Sequence, residues 1–190
     1  MNEPLSGAAR QDAILEAAFS AFATYGFRRT TMDDIAQKAG MSRSALYLHY
    51  RNKEDIFRTM VAQFFQQAVA DVAAALNQRG SPADILEAAF MAKDGSLMEV
   101  VLGTPHGSEL VDAGFSTSGD LVAKGETEIV ALLTGWLAKR TLPDGLGTAS
   151  EVAQTMMAAL KGLKSAAPDF DTYRAGELRL ARMFGRAIDP

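Results

Sequence analysis

The 190-residue chain contains no cysteine, two histidines and one tryptophan. The lack of cysteine excludes disulfides, thiolate nucleophiles, Cys-ligated zinc and thiol redox sensing, and fits a reducing cytoplasm. Histidine is too scarce for a carboxylate–histidine metal centre: His106 and Glu109 have H-x-x-E spacing, but no second such pair occurs. Neither a metal nor another cofactor is therefore expected. Long apolar runs are also missing. The longest nearly apolar stretch, IVALLTGWLA (129–138), falls short of the roughly 20 residues that span a bilayer. The start, MNEPLSGAAR, has no basic patch leading into an apolar run, so neither a signal peptide nor membrane association is expected. DGLGTASE follows no strand, and its Thr148 and Glu151 read as a helix cap rather than a phosphate loop. No enzymatic constellation is left, and the chain is expected to be a non-enzyme.

Period-2 alternation is absent as well, which predicts no sheet. Apolar residues instead recur at helical spacing, from Ile14 through Leu15, Ala18, Phe19 and Phe22 onward. Start signals agree with this reading. Thr31 with Asp34 resembles a capping box, Asn52 precedes Lys53-Glu54-Asp55, Pro82 follows Ser81, and Thr148 with Glu151 matches T-x-x-E. The pattern predicts an all-α chain with helices near 9–25, 32–39, 43–49, 53–78, 82–93, 96–103, 106–114, 118–140, 149–166 and 171–187. The long helix from 53 would join a small head, residues 1–55, to a larger body, residues 56–190.

The net charge of −4 is unevenly spread. Residues 1–58 hold eight basic and seven acidic residues, and the remaining 132 hold eleven and sixteen. Arg28, Arg29, Lys38, Arg43, Arg51 and Lys53 form a local island interrupted only by Asp33 and Asp34, a surface suited to nucleic acid. Inside it, Gly40 ends one helix and a second begins at Ser42 or Arg43, which is helix-turn-helix spacing. Ile35, Ala36, Ala39 and Leu46 can close on Phe19 and Phe22, leaving Arg43, Ser44, Tyr47 and Leu48 outside. Arg43 can meet a guanine edge with two hydrogen bonds, while Ser44 and Tyr47 can reach base edges or phosphate. Thr31 and Lys53 stand at helix starts, where phosphate contact is favourable, and Ser42, His49 and Tyr50 can either clamp the backbone or serve as caps and core.

GFRRTTMDDIAQKAGMSRSALYLHYRNKEDIF resembles the DNA-binding head of the TetR family of bacterial transcriptional regulators. The pattern is carried by Gly26, Phe27, Thr30, Thr31, Ile35, Ala36, Ala39, Gly40, Ser42, Leu46, Tyr47, His49, Tyr50 and Lys53. The resemblance implies a homodimer that binds a palindromic double-stranded DNA operator, usually as a repressor, and releases it when a small-molecule inducer enters the body. DNA contacts carry over to Thr31, Ser42, Arg43, Ser44, Tyr47, His49 and Lys53, with Leu48 near the backbone. Asp33 and Asp34 depart from the pattern: they act as caps, face away, or repel phosphate.

In the body, Val152, Met156, Leu160 and Leu163 form one stripe, and Leu178, Ala181, Phe184 or Gly185, and Ile188 another, with Ala158, Ala159 and Gly162 allowing close helix approach. These stripes can pair within one chain, whereas the resemblance implies that they build a four-helix dimer interface. Arg179, Arg182 and Arg186 read as a solvated face. Phe64, Met91, Met98, Phe115, Trp136 and Met157 offer adaptable apolar surface for a ligand, with His106, Glu109 and Asp112 as polar anchors. The inducer is then largely apolar or aromatic. The alternative is a helical small-molecule-binding or scaffolding protein without operator-specific DNA binding.

Overall fold

The computed structural model describes residues 7–189, and its secondary structure consists of α1 (Gly7–Tyr25), α2 (Met32–Lys38), α3 (Arg43–Tyr47), α4 (Lys53–Leu76), α5 (Pro82–Gly103), α6 (Gly107–Leu137), α7 (Ala149–Ala166) and α8 (Phe170–Ile188). Among the described residues there is no strand, and no helix is long and apolar enough to cross a membrane.

Two pairs of helices expected to be separate are continuous. The expected break at Asp94-Gly95 lies inside α5, where the Asp94 side chain is buried and paired. Asp94 accepts from Lys93 at 2.8 Å and from Lys164 of α7 at 2.6 Å. Burial alone would raise the Asp94 carboxyl, but the two ammonium groups outweigh that and hold it below its usual value. α6 runs through the expected gap before residue 118 but kinks at Ser118 (φ −139°, ψ 25°). The Thr117 carbonyl there accepts from Arg58 Nη1 at 2.7 Å.

The chain divides into two compact units. The first comprises residues up to Phe64 together with Thr104–Val122; the second comprises Phe65–Gly103 with residues from Ala123 onward. Residues 104–122 thus group with the N-terminal helices, a grouping that periodicity does not reveal. Two long-range contacts account for it. Arg58 of α4 grips Asp120 of α6 with two hydrogen bonds of 2.8 Å, and Arg29 reaches His106 at 3.3 Å.

The first unit is built on Ile14, Ala18, Ala21, Phe22, Ile35, Leu46 and Ile56, all fully buried. Phe22, Phe27 and Phe57 form an aromatic triangle with centroids 5.0–5.7 Å apart. Ile35, Ala36 and Leu46 close the core as expected, while Phe19 and Ala39 are only half-buried.

In the second unit α5 packs most extensively on α8. Gly185 makes that crossing possible: a Cβ there would lie 2.5 Å from Ala83 Cα. Val72, Leu86, Phe90, Leu133, Trp136, Leu137, Val152, Met156, Leu160, Ala181 and Ile188 share one core.

Candidate nucleic-acid interface

The α2–turn–α3 segment is held by hydrogen bonds between near neighbours in the chain. Thr31 caps α2: its hydroxyl accepts from the Asp34 amide, and the Asp34 carboxylate takes the Thr31 N–H at 2.8 Å and its O–H at 2.7 Å. The Thr31 hydroxyl, the largest influence, helps hold the Asp34 carboxyl below its usual value. The helix ends on Gly40 at φ 67°, with Gly40 N–H donating to the Gln37 carbonyl and Met41 N–H to the Ala36 carbonyl. This closing motif satisfies the last carbonyls of α2 and turns the chain sharply. Ser42 then caps α3 through the Ala45 amide, and its hydroxyl lies 3.0 Å from that of Ser44.

Leu46 plugs α3 into the core, so the opposite face is left to solvent. Arg43, Ser44, Tyr47, Leu48 and His49 are all exposed, with Leu48 at 86%. A leucine left so open gains nothing from folding. Tyr50, in contrast, is a core residue with 6% exposure, which removes it from the clamp candidates.

Asp33, an ambiguous residue in the sequence, accepts a 2.7 Å hydrogen bond from Arg43 Nη1. Arg43 Nη2 also lies 3.4 Å from the Tyr47 hydroxyl, and the guanidinium sits 5.4 Å from the Tyr47 ring centroid.

Lys53 differs most from expectation. Its ammonium donates to the carbonyls of Phe27, Arg28 and Thr30 at 2.7, 2.9 and 3.0 Å. All three protons are spent inside the head, so Lys53 staples the α1–α2 connection and has no donor left for a phosphate. Only its partners, 23–26 residues away, reveal this role.

Residues 14–60 match the family model described as bacterial regulatory proteins, tetR family. Over those residues the chain is TetR-like. A curated relative, the HTH-type transcriptional repressor KstR2 of Mycolicibacterium smegmatis, is 33% identical over 89 residues, 47% of this chain and 43% of that protein. The chain thus spans less than half the length of that relative. A crystal structure of a transcriptional regulator from Rhodococcus sp. Rha1 superimposes with TM-score 0.72 at 20% identity, covering 95% of this chain and 98% of the other. SmeT, the repressor of the Stenotrophomonas maltophilia multidrug efflux pump SmeDEF, was solved in complex with triclosan. That complex superimposes with TM-score 0.69 at 20% identity over 93% of this chain and 91% of the other. At these identities the likeness is one of fold.

The residues expected to line a ligand pocket are distributed between the two units. Phe64, His106 and Glu109 lie in the first, and Met91, Met98, Trp136 and Met157 in the second. The Phe115 side chain lies outside the described residues. Trp136 is buried in the main core of the second unit, with Met157 packed against that core. Met98 belongs to a separate cluster with Val101, Ala167 and Tyr173, and Met91 is 38% exposed. A cavity of about 300 Å³ in the first unit is lined by Thr24, Tyr25, Arg29, Asp34 and His106, so His106 alone of the chosen residues borders it. Because a guanidinium only donates, His106 Nε2 accepts from Arg29, which leaves the ring proton on Nδ1 facing Glu109 Oε1 at 3.7 Å. Asp112 is exposed.

The interface stripes are also relocated. Val152, Met156, Leu160, Ala181 and Ile188, expected at a dimer interface, have exposures of 0–5% and are spent on the core of their own chain. Leu163 packs against Gly176 of α8, Phe184 is half-buried against the main core, and Leu178 is also half-buried. Among the residues that α7 and α8 leave outside are Gln154, Ala158, Lys161 and Gly162 on one helix and Ala175, Arg179, Arg182, Met183 and Arg186 on the other. A Cβ added at Gly162 would meet nothing within 4 Å, so its smallness serves no contact inside the chain.

Proposed function

We propose that this chain is a transcriptional regulator, acting as a repressor, whose helix-turn-helix segment reads duplex DNA through α3. The observation that carries this reading is the α3 face itself. Leu46 locks the helix to the core while Arg43, Ser44, Tyr47, Leu48 and His49 are exposed on the surface that enters a major groove in this motif. Repressors among the curated relatives support the sign of regulation. Arg43, Ser44 and Tyr47 then carry sequence preference, with His49, Ser42 and Leu48 beside the sugar–phosphate backbone. Thr31 and Lys53 act by holding the two helices in place.

In the same reading, residues 1–55 form the DNA-binding head and residues 56–190 the ligand-binding and dimerisation body. Two copies associate through the outward faces of α7 and α8, where Ala158 and Gly162 permit close approach and Met183 is 66% exposed. A palindromic operator matches such a pair. A small, largely apolar or aromatic inducer releases the DNA, a role supported by the triclosan complex of SmeT. Electrophoretic mobility shift with the purified chain and the DNA upstream of its own gene tests the proposal, with triclosan as the first inducer probe. Specific retardation that strengthens as salt is lowered is expected, and retardation no stronger than that of shuffled DNA would sink it.

A further inference from the structure

We infer that Asp33 is a positioning residue for sequence reading: it holds the Arg43 guanidinium in place, so that discrimination between bases depends on an acidic side chain that itself weakens overall DNA affinity. The inference rests on the reading of α3 as the DNA-facing helix.

Four observations lead to it. Asp33 sits in the first turn of α2, but the cap of that helix is made by Thr31 and Asp34, so Asp33 is not needed there. Its carboxylate lies 2.7 Å from Arg43 Nη1, and both side chains are 59% exposed. An ion pair so open to water adds little to folding, so its effect is on the geometry of the side chains rather than on stability. Tyr47 supports the guanidinium from the second side, with its hydroxyl 3.4 Å from Nη2 and its ring centroid 5.4 Å away. Finally, Asp33 departs from the basic character of the surrounding island, and beside a polyanion an unpaired carboxylate only repels.

Chemistry connects these observations. Arginine has five N–H donors, and the contacts to Asp33 and Tyr47 engage one on each terminal nitrogen, leaving donors for the O6 and N7 acceptors of a guanine. A free arginine on the same helix would sample many rotamers and would accept any phosphate as readily as a base edge. Held from two sides, Arg43 gives up less freedom on meeting its base and is less available to the sequence-blind backbone.

The test is selection from a random-sequence duplex library with the full chain, followed by affinities on the best selected duplex and on random duplex for wild type, Asp33→Ala and Asp33→Asn. Asp33→Ala is expected to bind random duplex more tightly while its ratio of selected to random affinity falls roughly two- to tenfold. Asp33→Asn, which keeps an acceptor without the charge, is expected to regain most of that ratio while keeping the tighter general binding. Unfolding midpoints of both variants should match wild type. A ratio that stays level or rises in Asp33→Ala, no rescue by Asp33→Asn, or a lowered midpoint in both variants would overturn the inference. Absence of any enrichment by the wild type would overturn the regulator reading as well, and so is distinguishable.

Discussion

Lys53 donates to three backbone carbonyls across the α1–α2 connection, and Phe27, which supplies one of them, also presents its ring to the ammonium at 4.9 Å. Replacing Lys53 with methionine keeps the bulk and removes the donors, leaving those carbonyls without their partner. Unfolding in urea should show a loss of about 2 kcal/mol, the scale of a hydrogen bond to a charged group, with weaker binding to every DNA sequence as a consequence. A phosphate-contacting lysine behaves differently: its removal lowers the salt slope of binding by about one and leaves stability intact. The lysine, its position and its place in the TetR pattern are all legible in the sequence; its hydrogen-bond partners are not. Asp33 and Asp34 illustrate the same limit from the other side. The T-x-x-D spacing identifies Asp34 as a cap, because capping is local, whereas Asp33 is understood only once α2 and α3 are placed beside each other.

The helix-turn-helix element is the part most legible in the sequence, since capping threonine, closing glycine and capping serine all act within a few residues of where they stand. α5 and α6 are less so. The Asp94-Gly95 pair has turn composition, and the ammonium groups of Lys93 and of Lys164 from α7 offset the burial of Asp94 inside a helix. The kink of α6 is a tertiary feature of the same kind, because Arg58 of α4 takes both the Thr117 carbonyl and the Asp120 carboxylate. This element carries a pH prediction. The hydrogen bonds from Arg58 pull the Asp120 carboxyl from 3.8 down to about 2. A carboxyl with a folded value below its unfolded one stabilises the fold above the unfolded value, and that stabilisation is lost as pH falls through the folded one. Wild-type stability should therefore drop more steeply between about pH 4 and pH 2 than that of Asp120→Asn, read as the difference between their denaturation curves at each pH. Parallel curves would mean that the pair does not persist in solution.

For the whole molecule, hydrophobic stripes on α7 and α8 predict that these helices pack on something without naming the partner. In the structure the partner is the rest of the same chain, with Leu160 and Met156 at 1% and 0% exposure. The two faces of these helices now make opposite predictions. Leu160→Asp buries a charge and should lower the unfolding midpoint sharply, whereas Met183→Asp lies on the outer face and should leave stability near wild type while shifting the chain from dimer to monomer in light scattering. A Met183→Asp chain that stays dimeric would place the interface elsewhere. The all-α architecture and the helix-turn-helix segment are open to sequence reading because periodicity, caps and turn chemistry are local. The boundary of the first unit and the assignment of each apolar face depend on contacts between distant segments, for which a single sequence carries no signal. The central claim, that α3 reads DNA, is tested most directly by binding of wild type and Arg43→Ala to the chain's own upstream DNA and to a shuffled duplex. The account predicts wild-type preference for the upstream DNA, a steep loss of affinity with added salt, and a drop of about 1–3 kcal/mol for Arg43→Ala on the upstream DNA but little on the shuffled one. Equal binding of both duplexes by wild type, or equal losses on both for Arg43→Ala, would contradict it.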